Sequence, residues 1–330
     1  MTPSLFWTAG SRDIGFDYGS YFGRIREIEQ LVIPADEIKW TQKYREPKRQ
    51  VETLLYLGCN ILQTAHLAQE VVEVFERLAI DFEAVGGVEF CCGTIHHGQG
   101  DVGAASRISH STVNKFESYG ARQVVMWCPS CNLQFDEVVL KELQPTFSIT
   151  HTTAFLADRL DQLRFETAVP ARVVLHAHTG RAQQDADAAA ARRLLEAIPG
   201  VEVVGIASDP DLGHHCSPQI IGRLGGRDRF LERRNQLVEQ AKQTGAEAIA
   251  TLYHSCHREW CEVEDPDLGV RNYISLLGEA LGCGHTDNYK SFKNAGDPRA
   301  VVESSRANWG SHGHSEQRAL ELARKHFPGH

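Results

Sequence analysis

The chain has 330 residues, 42% of them hydrophobic, nine cysteines and a formal net charge of −9. That length can bury a large core in one or two domains, and Lys and Arg scattered in ones and twos give no positive stripe for nucleic acid. No run of 18 apolar residues is present to span a bilayer, and the first ten residues lack the basic-then-apolar order of an export signal. An odd, uneven set of cysteines, two of them adjacent, argues against a disulfide framework and for a reduced cytoplasmic setting.

Residues 1–50 read as an N-terminal arm. Phe6, Trp7, Phe16, Tyr18, Tyr21 and Phe22 give way to charged sequence, with helical periodicity only over Tyr21–Ile33. Such an arm packs on a partner or on the second unit, or is a loosely folded extension.

A first unit spans 51–165. The apolar run Thr53–Gly58 predicts a strand ending at Cys59. Asn60 is a possible helix cap, and Ile61, Ala65, Ala68, Val72 and Phe75 recur at three and four to make one buried stripe. A second strand, Asp81–Val85, leads through Gly86-Gly87 to the Cys91-Cys92-Gly93 turn. Asp101 caps a helix carrying Val102, Ala105, Ile108, Thr112 and Phe116 on one face, ended by Gly120. Arg122–Met126 is a third strand, and Cys128-Pro129 opens a further helix with proline where its missing N–H costs nothing.

Strand–helix–strand–helix–strand implies α/β architecture: a small parallel sheet with right-handed crossovers, flanked by helices. Cys59, Cys91, Cys92, Cys128 and Cys131 all follow strands and therefore share the carboxyl edge, where open α/β sheets place ligands. Five thiols exceed what one tetrahedral zinc can use, which points to iron and sulfur; zinc held by four with one spare is the alternative. Cys128 at a helix start is favoured as thiolate, and Gly93 lets the backbone turn tightly beside a bound group.

A second unit, 166–284, repeats the first. Val174–His178 aligns with Leu55–Cys59, His214-His215-Cys216-Ser217 with Phe90–Gly93, and Thr251–Cys256 with Met126–Cys131. Phe155-Leu156 and Leu276-Leu277 mark corresponding closing helices. The ligand positions become His178, His215, Cys216, Tyr253 and Cys256. His178, His215, Cys216 and Cys256 would suit zinc as a mixed nitrogen–sulfur site, or the site is vacated and the side chains hydrogen-bond. Tyr253 cannot replace a bridging thiolate, and His254 beside it could serve instead.

The remaining sites are weaker. His96 and His97, after the cysteine pair, could pass protons to a leaving thiol or be ordinary loop histidines. Cys261 and Cys283 fall outside the matched positions. A tail, 285–330, carries His312, His314, His326 and His330, and Glu316–His326 predicts a helix with Ala319, Leu320, Leu322 and Ala323 on its apolar side.

The pattern Cys-x31-Cys-Cys-Gly-x34-Cys-x-x-Cys resembles the Cys-Cys-Gly domain found twice in the B-type component of heterodisulfide reductase and in iron–sulfur components of several dehydrogenases, over about Thr53–Cys283. The resemblance implies a noncubane [4Fe-4S] cluster bound by Cys59, Cys91, Cys92, Cys128 and Cys131, and disulfide or sulfane-sulfur chemistry. It implies as partners a ferredoxin-like iron–sulfur protein of the C type, a flavoprotein of the A type, and a lipoyl or other sulfur carrier. The chain lacks the ferredoxin module of the oxidase components, and its decayed second unit is closer to the heterodisulfide-reductase-like complexes of sulfur-oxidising bacteria. The alternative is a non-catalytic electron-relay or zinc-stabilised adaptor.

Overall fold

The computed structural model describes residues 15–47 and 49–329; Phe6, Trp7 and His330 lie outside the described residues. Two compact units emerge, with described parts 15–27, 39–47, 49–62 and 80–151 in the first and 28–38, 63–79 and 152–329 in the second. Along the chain, α1 (Tyr18–Val32) precedes β1 (Thr53–Gly58), a short 3-10 turn (Asn60–Thr64), α2 (Ala65–Arg77) and β2 (Phe82–Gly86). Then come α3 (Thr94–Gly98), α4 (Val102–Ser118), β3 (Gln123–Met126), α5 (Pro129–Gln134), a π turn (Phe135–Val139), α6 (Leu140–Glu142) and β4 (Ser148–His151).

The first sheet is parallel in the order β2-β1-β3-β4, with Leu55 of β1 level with Ala84 and Val125. Every residue of β1 is buried, as expected of a central parallel strand covered on both faces. Tyr56, Phe116 and Phe135 meet within the core beside this strand, with ring centroids 4.9 and 6.0 Å apart along the series. Burial of each such side chain contributes roughly 1.5–3 kcal/mol. Asp101 caps α4 through Ala104 N at 3.1 Å, and Gly120 takes a positive φ of 64° after it. Asn60 does not cap α2; the 3-10 turn intervenes, and its side-chain amide donates instead to Tyr21 Oη at 2.7 Å.

The second unit contains α7 (Thr152–Ala157), β5 (Ala171–His176), α8 (Ala182–Ala197), β6 (Val201–Ala207), α9 (Pro218–Arg223) and α10 (Gly226–Gln243). It continues with β7 (Ala248–Thr251), α11 (His254–Trp260), β8 (Gly269–Asn272) and α12 (Tyr273–Ala280), then α13 (Asn288–Asn294), α14 (Pro298–Ser304), α15 (Arg306–Ser311) and α16 (Glu316–His326). Its parallel sheet runs β6-β5-β7-β8, the same strand permutation as the first. Each sheet carries a fourth strand, β4 or β8, before its closing helix α7 or α12. Neither strand is apparent in the sequence, because each is four residues long and only partly buried.

The unit boundaries also differ from the sequence segments. Helix α2 packs on α12 and belongs to the second unit, as do residues 28–38 of the arm and the whole described tail. Asn288 and Asn308 donate side-chain N–H groups to the Val32 and Leu31 carbonyls at 2.8 and 2.7 Å. His312 and His314 bind the Ile33 carbonyl and the Gln30 side chain, so these two are structural contacts of the arm. Helix α16 buries Ala319, Leu322 and Ala323, while Leu320 is half-buried.

Candidate metal centres at the carboxyl edges

In the first unit β1 ends at Gly58, so Cys59 leaves the carboxyl edge of the sheet. Cys91 and Cys92 follow β2 through one 3-10 turn, and Cys128 and Cys131 bracket the start of α5 after β3. All five are free and buried. Their thiols are hydrogen-bonding neighbours in pairs: Cys59 with Cys91, Cys91 with Cys92, Cys92 with Cys131, and Cys131 with Cys128.

The backbone around these thiols is held tightly. Thr112 Oγ1 donates to the Cys91 carbonyl at 2.6 Å and Ser109 Oγ to the Cys92 carbonyl at 2.8 Å, both from α4. Tyr56 Oη donates to the Phe90 carbonyl at 2.6 Å and lies 3.5 Å from Cys131 Sγ. Gly93 has φ +83°, and a Cβ there would stand 2.7 Å from the Ala105 carbonyl oxygen. Gly58, at φ +79°, leaves open a place that a Cβ would fill at 3.0 Å from Cys128 Cβ and 3.2 Å from Cys131 Sγ.

The thiols do not ionise alike. Hydrogen bonds from the Cys59 and Cys92 thiols, and then the Gly93 N–H, draw the Cys91 thiol well below its ordinary range against the cost of burial. Cys59 is pushed well up by its bond to Cys91 and by burial, and Cys131 by its bonds to Cys128 and Cys92. The Cys131 bond lowers Cys92, but Cys91 and burial together carry it well above the usual thiol range. Of these four, Cys91 alone is thus drawn towards the thiolate, and ionising the raised thiols beside it requires positive charge among the sulfurs.

His96 and His97 part company on α3. His96 is buried and stacks on Tyr18 with ring centroids 4.1 Å apart, and desolvation lowers its proton affinity. His97 is half-buried, 3.1 Å from Gln134 Oε1, and lines a cavity of about 410 Å³ together with Ser109 and Gln134.

In the second unit four side chains gather, and they are not quite the expected four. His176, His178, Cys216 and Cys256 are all buried, with ligand atoms within 4.8 Å of one another. His215 stays outside this group and His176 takes its place. His215 and Cys216 are consecutive residues, whereas His176 and His178 are two apart at the end of β5 and so face the same way. That spacing is the available signal for His176, and the alignment of His178 with Cys59 hides it.

The imidazoles are oriented for coordination. Nδ1 of His178 and His176 meet the Gly213 and Ala207 carbonyls at 2.8 and 3.0 Å, which assigns the ring proton to Nδ1. Each Nε2 lone pair then turns to sulfur: His178 lies 3.2 Å from Cys256 and 3.6 Å from Cys216, and His176 lies 3.7 Å from Cys216. A tetrahedral zinc with ordinary Zn–N and Zn–S bonds spaces its nitrogen and sulfur ligands about 3.5 Å apart. Burial raises the Cys256 thiol, but its bond to Cys216 and the His178 charge outweigh that and bring it well below the usual range. Tyr253 is no ligand; it donates to Asp187 Oδ2 at 2.9 Å. Cys261 and Cys283 are buried outside both groups, their thiols pushed up by desolvation to about 12 and about 11.

Comparison with known proteins gives a consistent picture. The profile of the cysteine-rich CCG domain matches residues 53–136 and again 176–259, together just over half of the chain. The chain is similar to the D-type component of dihydromethanophenazine:CoB–CoM heterodisulfide reductase, with 26% identity over 262 residues to that of Methanosarcina barkeri and 25% over 267 to that of Methanosarcina acetivorans. These alignments cover 75% and 76% of this chain and 63% and 64% of the relatives, so it spans under two thirds of their length. It is 23% identical over 193 residues to the EtfAB:quinone oxidoreductase of Syntrophomonas wolfei, covering 55% of this chain and 25% of that protein. The heterodisulfide reductase relatives are of D type, where the sequence resemblance points to the B type. Among the described residues no helix is long and apolar enough to cross a membrane.

Proposed function

This chain belongs to the cysteine-rich CCG domain family, and we propose that it is an iron–sulfur redox component of heterodisulfide-reductase type acting on a disulfide or sulfane sulfur. The observation that carries this reading is the string of five buried thiols at one sheet edge, neighbours in pairs from Cys59 to Cys128. Among the described residues, the groups compact enough for all their ligand atoms to lie within 4.8 Å are both in the second unit. The first-unit string is more extended than either, and the missing side chain of Gly58 lets the end of β1 approach Cys128 and Cys131 closely.

Cys59, Cys91, Cys92, Cys128 and Cys131 would hold a noncubane [4Fe-4S] cluster, which when bound supplies one-electron transfer and iron open to sulfur. The protein's own part is threefold. Thr112 and Ser109 fix the adjacent cysteines through their carbonyls. The low proton affinity of Cys91 gives the first thiolate. His97, which lines the cavity with Ser109 and Gln134, would give a proton to a leaving thiol, in a reaction whose balance is one disulfide, two electrons and two protons to two thiols. The chain would serve as a B-type component, working in the cytoplasm with a ferredoxin-like iron–sulfur protein, a flavoprotein and a lipoyl or other sulfur carrier.

In the second unit His176, His178, Cys216 and Cys256 would hold a zinc ion of structural kind, since four protein ligands close the coordination sphere. That geometry also favours an adaptor role for this half.

Metal content and one variant test the proposal. Anaerobically purified chain should carry about four iron and about four sulfide, as the assembly requires, and Cys92→Ser should abolish disulfide turnover by the complex. Zinc without iron, or turnover that survives Cys92→Ser while only assembly suffers, would establish the adaptor instead.

A further inference from the structure

A second cluster of donors lies in the second unit, apart from the histidine–cysteine group. Helix α2 is expected to bury one stripe, yet His66, Gln69 and Glu70 on its other side are buried too. His66 is 4% exposed and His257, on α11, is 1% exposed. Asp287, which caps α13, sends Oδ2 to 2.6 Å from His257 Nε2, and its Oδ1 lies 3.5 Å from His66 Nδ1. One ring nitrogen of each histidine and one carboxylate oxygen fall within 4.8 Å of one another. The three residues line a cavity of about 380 Å³.

We infer that His66, His257 and Asp287 form a binding site for a divalent first-row transition ion, with the cavity supplying its remaining ligands. Two imidazoles and one carboxylate select a borderline ion such as zinc or ferrous iron over calcium or magnesium, which prefer all-oxygen shells. Three protein ligands also leave coordination positions open towards the cavity, in contrast to the four-ligand group beside β5.

Two further observations favour a cation here. Neither ring nitrogen of His66 is committed to a hydrogen bond, since Nε2 is buried without a partner and Nδ1 stands 3.5 Å from Asp287 Oδ1, which leaves the imidazole free to act as a ligand. The acid beside it is also held without a cation. Glu70, 1% exposed, lines the same cavity and is bonded only by neutral groups, Ser275 Oγ at 2.6 Å and the His285 N–H at 3.2 Å. The two nearby cations are engaged elsewhere: Lys290 with Glu264 at 2.6 Å and the Val270 carbonyl at 3.1 Å, Arg271 with Glu279. His285 pairs with Glu73 at 3.0 Å.

An arriving ion would take the place of the proton shared by His257 Nε2 and Asp287. Thr251 Oγ1, 3.4 Å from His257 Nδ1, can accept a hydrogen bond from that nitrogen once the ring proton sits there. The ion would tie α2, α11 and the start of α13 together and offer a Lewis-acidic position to a small oxygen ligand.

Zinc stoichiometry in the full chain tests the site independently of the iron–sulfur reading. Wild type, His66→Gln and Asp287→Asn are dialysed against zinc under argon and analysed for zinc and iron. Wild type should retain one more zinc equivalent than either variant, and added zinc should raise its melting temperature but not theirs. Zinc held by the histidine–cysteine group is common to all three and cancels. A far-ultraviolet circular dichroism spectrum matching that of wild type shows that the variants are folded. If they do not fold, wild-type crystals grown with zinc give the answer through an anomalous difference peak between His66, His257 and Asp287. Equal zinc in all three folded proteins, or a flat anomalous map at that position, overturns the inference.

Discussion

His178 Nε2 stands 3.2 Å from Cys256 Sγ while Nδ1 of the same ring hydrogen-bonds the Gly213 carbonyl at 2.8 Å. One nitrogen is thereby committed to orientation and the other left as a donor beside a thiol of low proton affinity. His176→Gln and His178→Gln should each release the zinc assigned to this unit and cost about 2 kcal/mol or more, a fall in melting temperature of about 5 °C. His215→Gln should retain the metal. Zinc analysis of the three variants checks this, and zinc loss in His215→Gln alone would reverse the assignment of the fourth ligand.

Gly58 makes a sharper demand on the first unit than any one cysteine. Its φ of +79° disfavours a side chain, and a Cβ would stand 3.0 Å from Cys128 Cβ. Gly58→Ala should cost about 1–3 kcal/mol from backbone strain alone and displace Cys128 and Cys131. Iron and sulfide per chain should drop below half of the wild-type value. Full iron retention in Gly58→Ala would show that the thiols do not depend on this close approach.

His97 carries the proton-transfer half of the proposal. It is half-buried at the cavity wall and bonded to Gln134, while His96 is packed beneath Tyr18. His97→Gln should keep its iron and lose about 100-fold in disulfide turnover, the usual contribution of a positioned acid or base. Added imidazole should restore part of the rate. Turnover at the wild-type rate in His97→Gln removes the histidine from the reaction.

How far the sequence is legible follows the physics of each signal. Strands β1 and β3 show as apolar runs because a central parallel strand is buried on both faces, the edge strand β2 shows through its buried end at Ala84-Val85 and the glycines after it, and the convergence of Cys59, Cys91, Cys92, Cys128 and Cys131 follows from their position after those strands. Strands β4 and β8 do not show, being short and half-exposed. His176 is hidden because the repeat aligns His178, not His176, with Cys59. Helix α2 misleads in another way: periodicity finds an apolar stripe but cannot tell that the opposite side is buried as well. His66 and Glu70 therefore carry no signal of burial, and their partners lie about 200 positions away in the chain.

Glu70 makes the stability of the chain depend on pH. Burial outweighs the bonds from Ser275 and the His285 N–H and raises its carboxyl from 4.5 to about 8. Between those values the folded chain keeps a proton that the unfolded chain has released, so unfolding free energy falls as pH rises. The stability supplied by the protonated acid is complete below 4.5 and is lost as pH passes through about 8, with a slope of at most about 1.4 kcal/mol per pH unit. Glu70→Gln keeps the hydrogen-bonding shape without the titration. Urea unfolding of metal-free chain at about pH 5.5, 7 and 8.5 should show wild type losing stability more steeply than Glu70→Gln. A bound cation at His66, His257 and Asp287 would favour the carboxylate and flatten the wild-type slope. Parallel slopes for the two metal-free proteins would mean that Glu70 is ionised throughout this range.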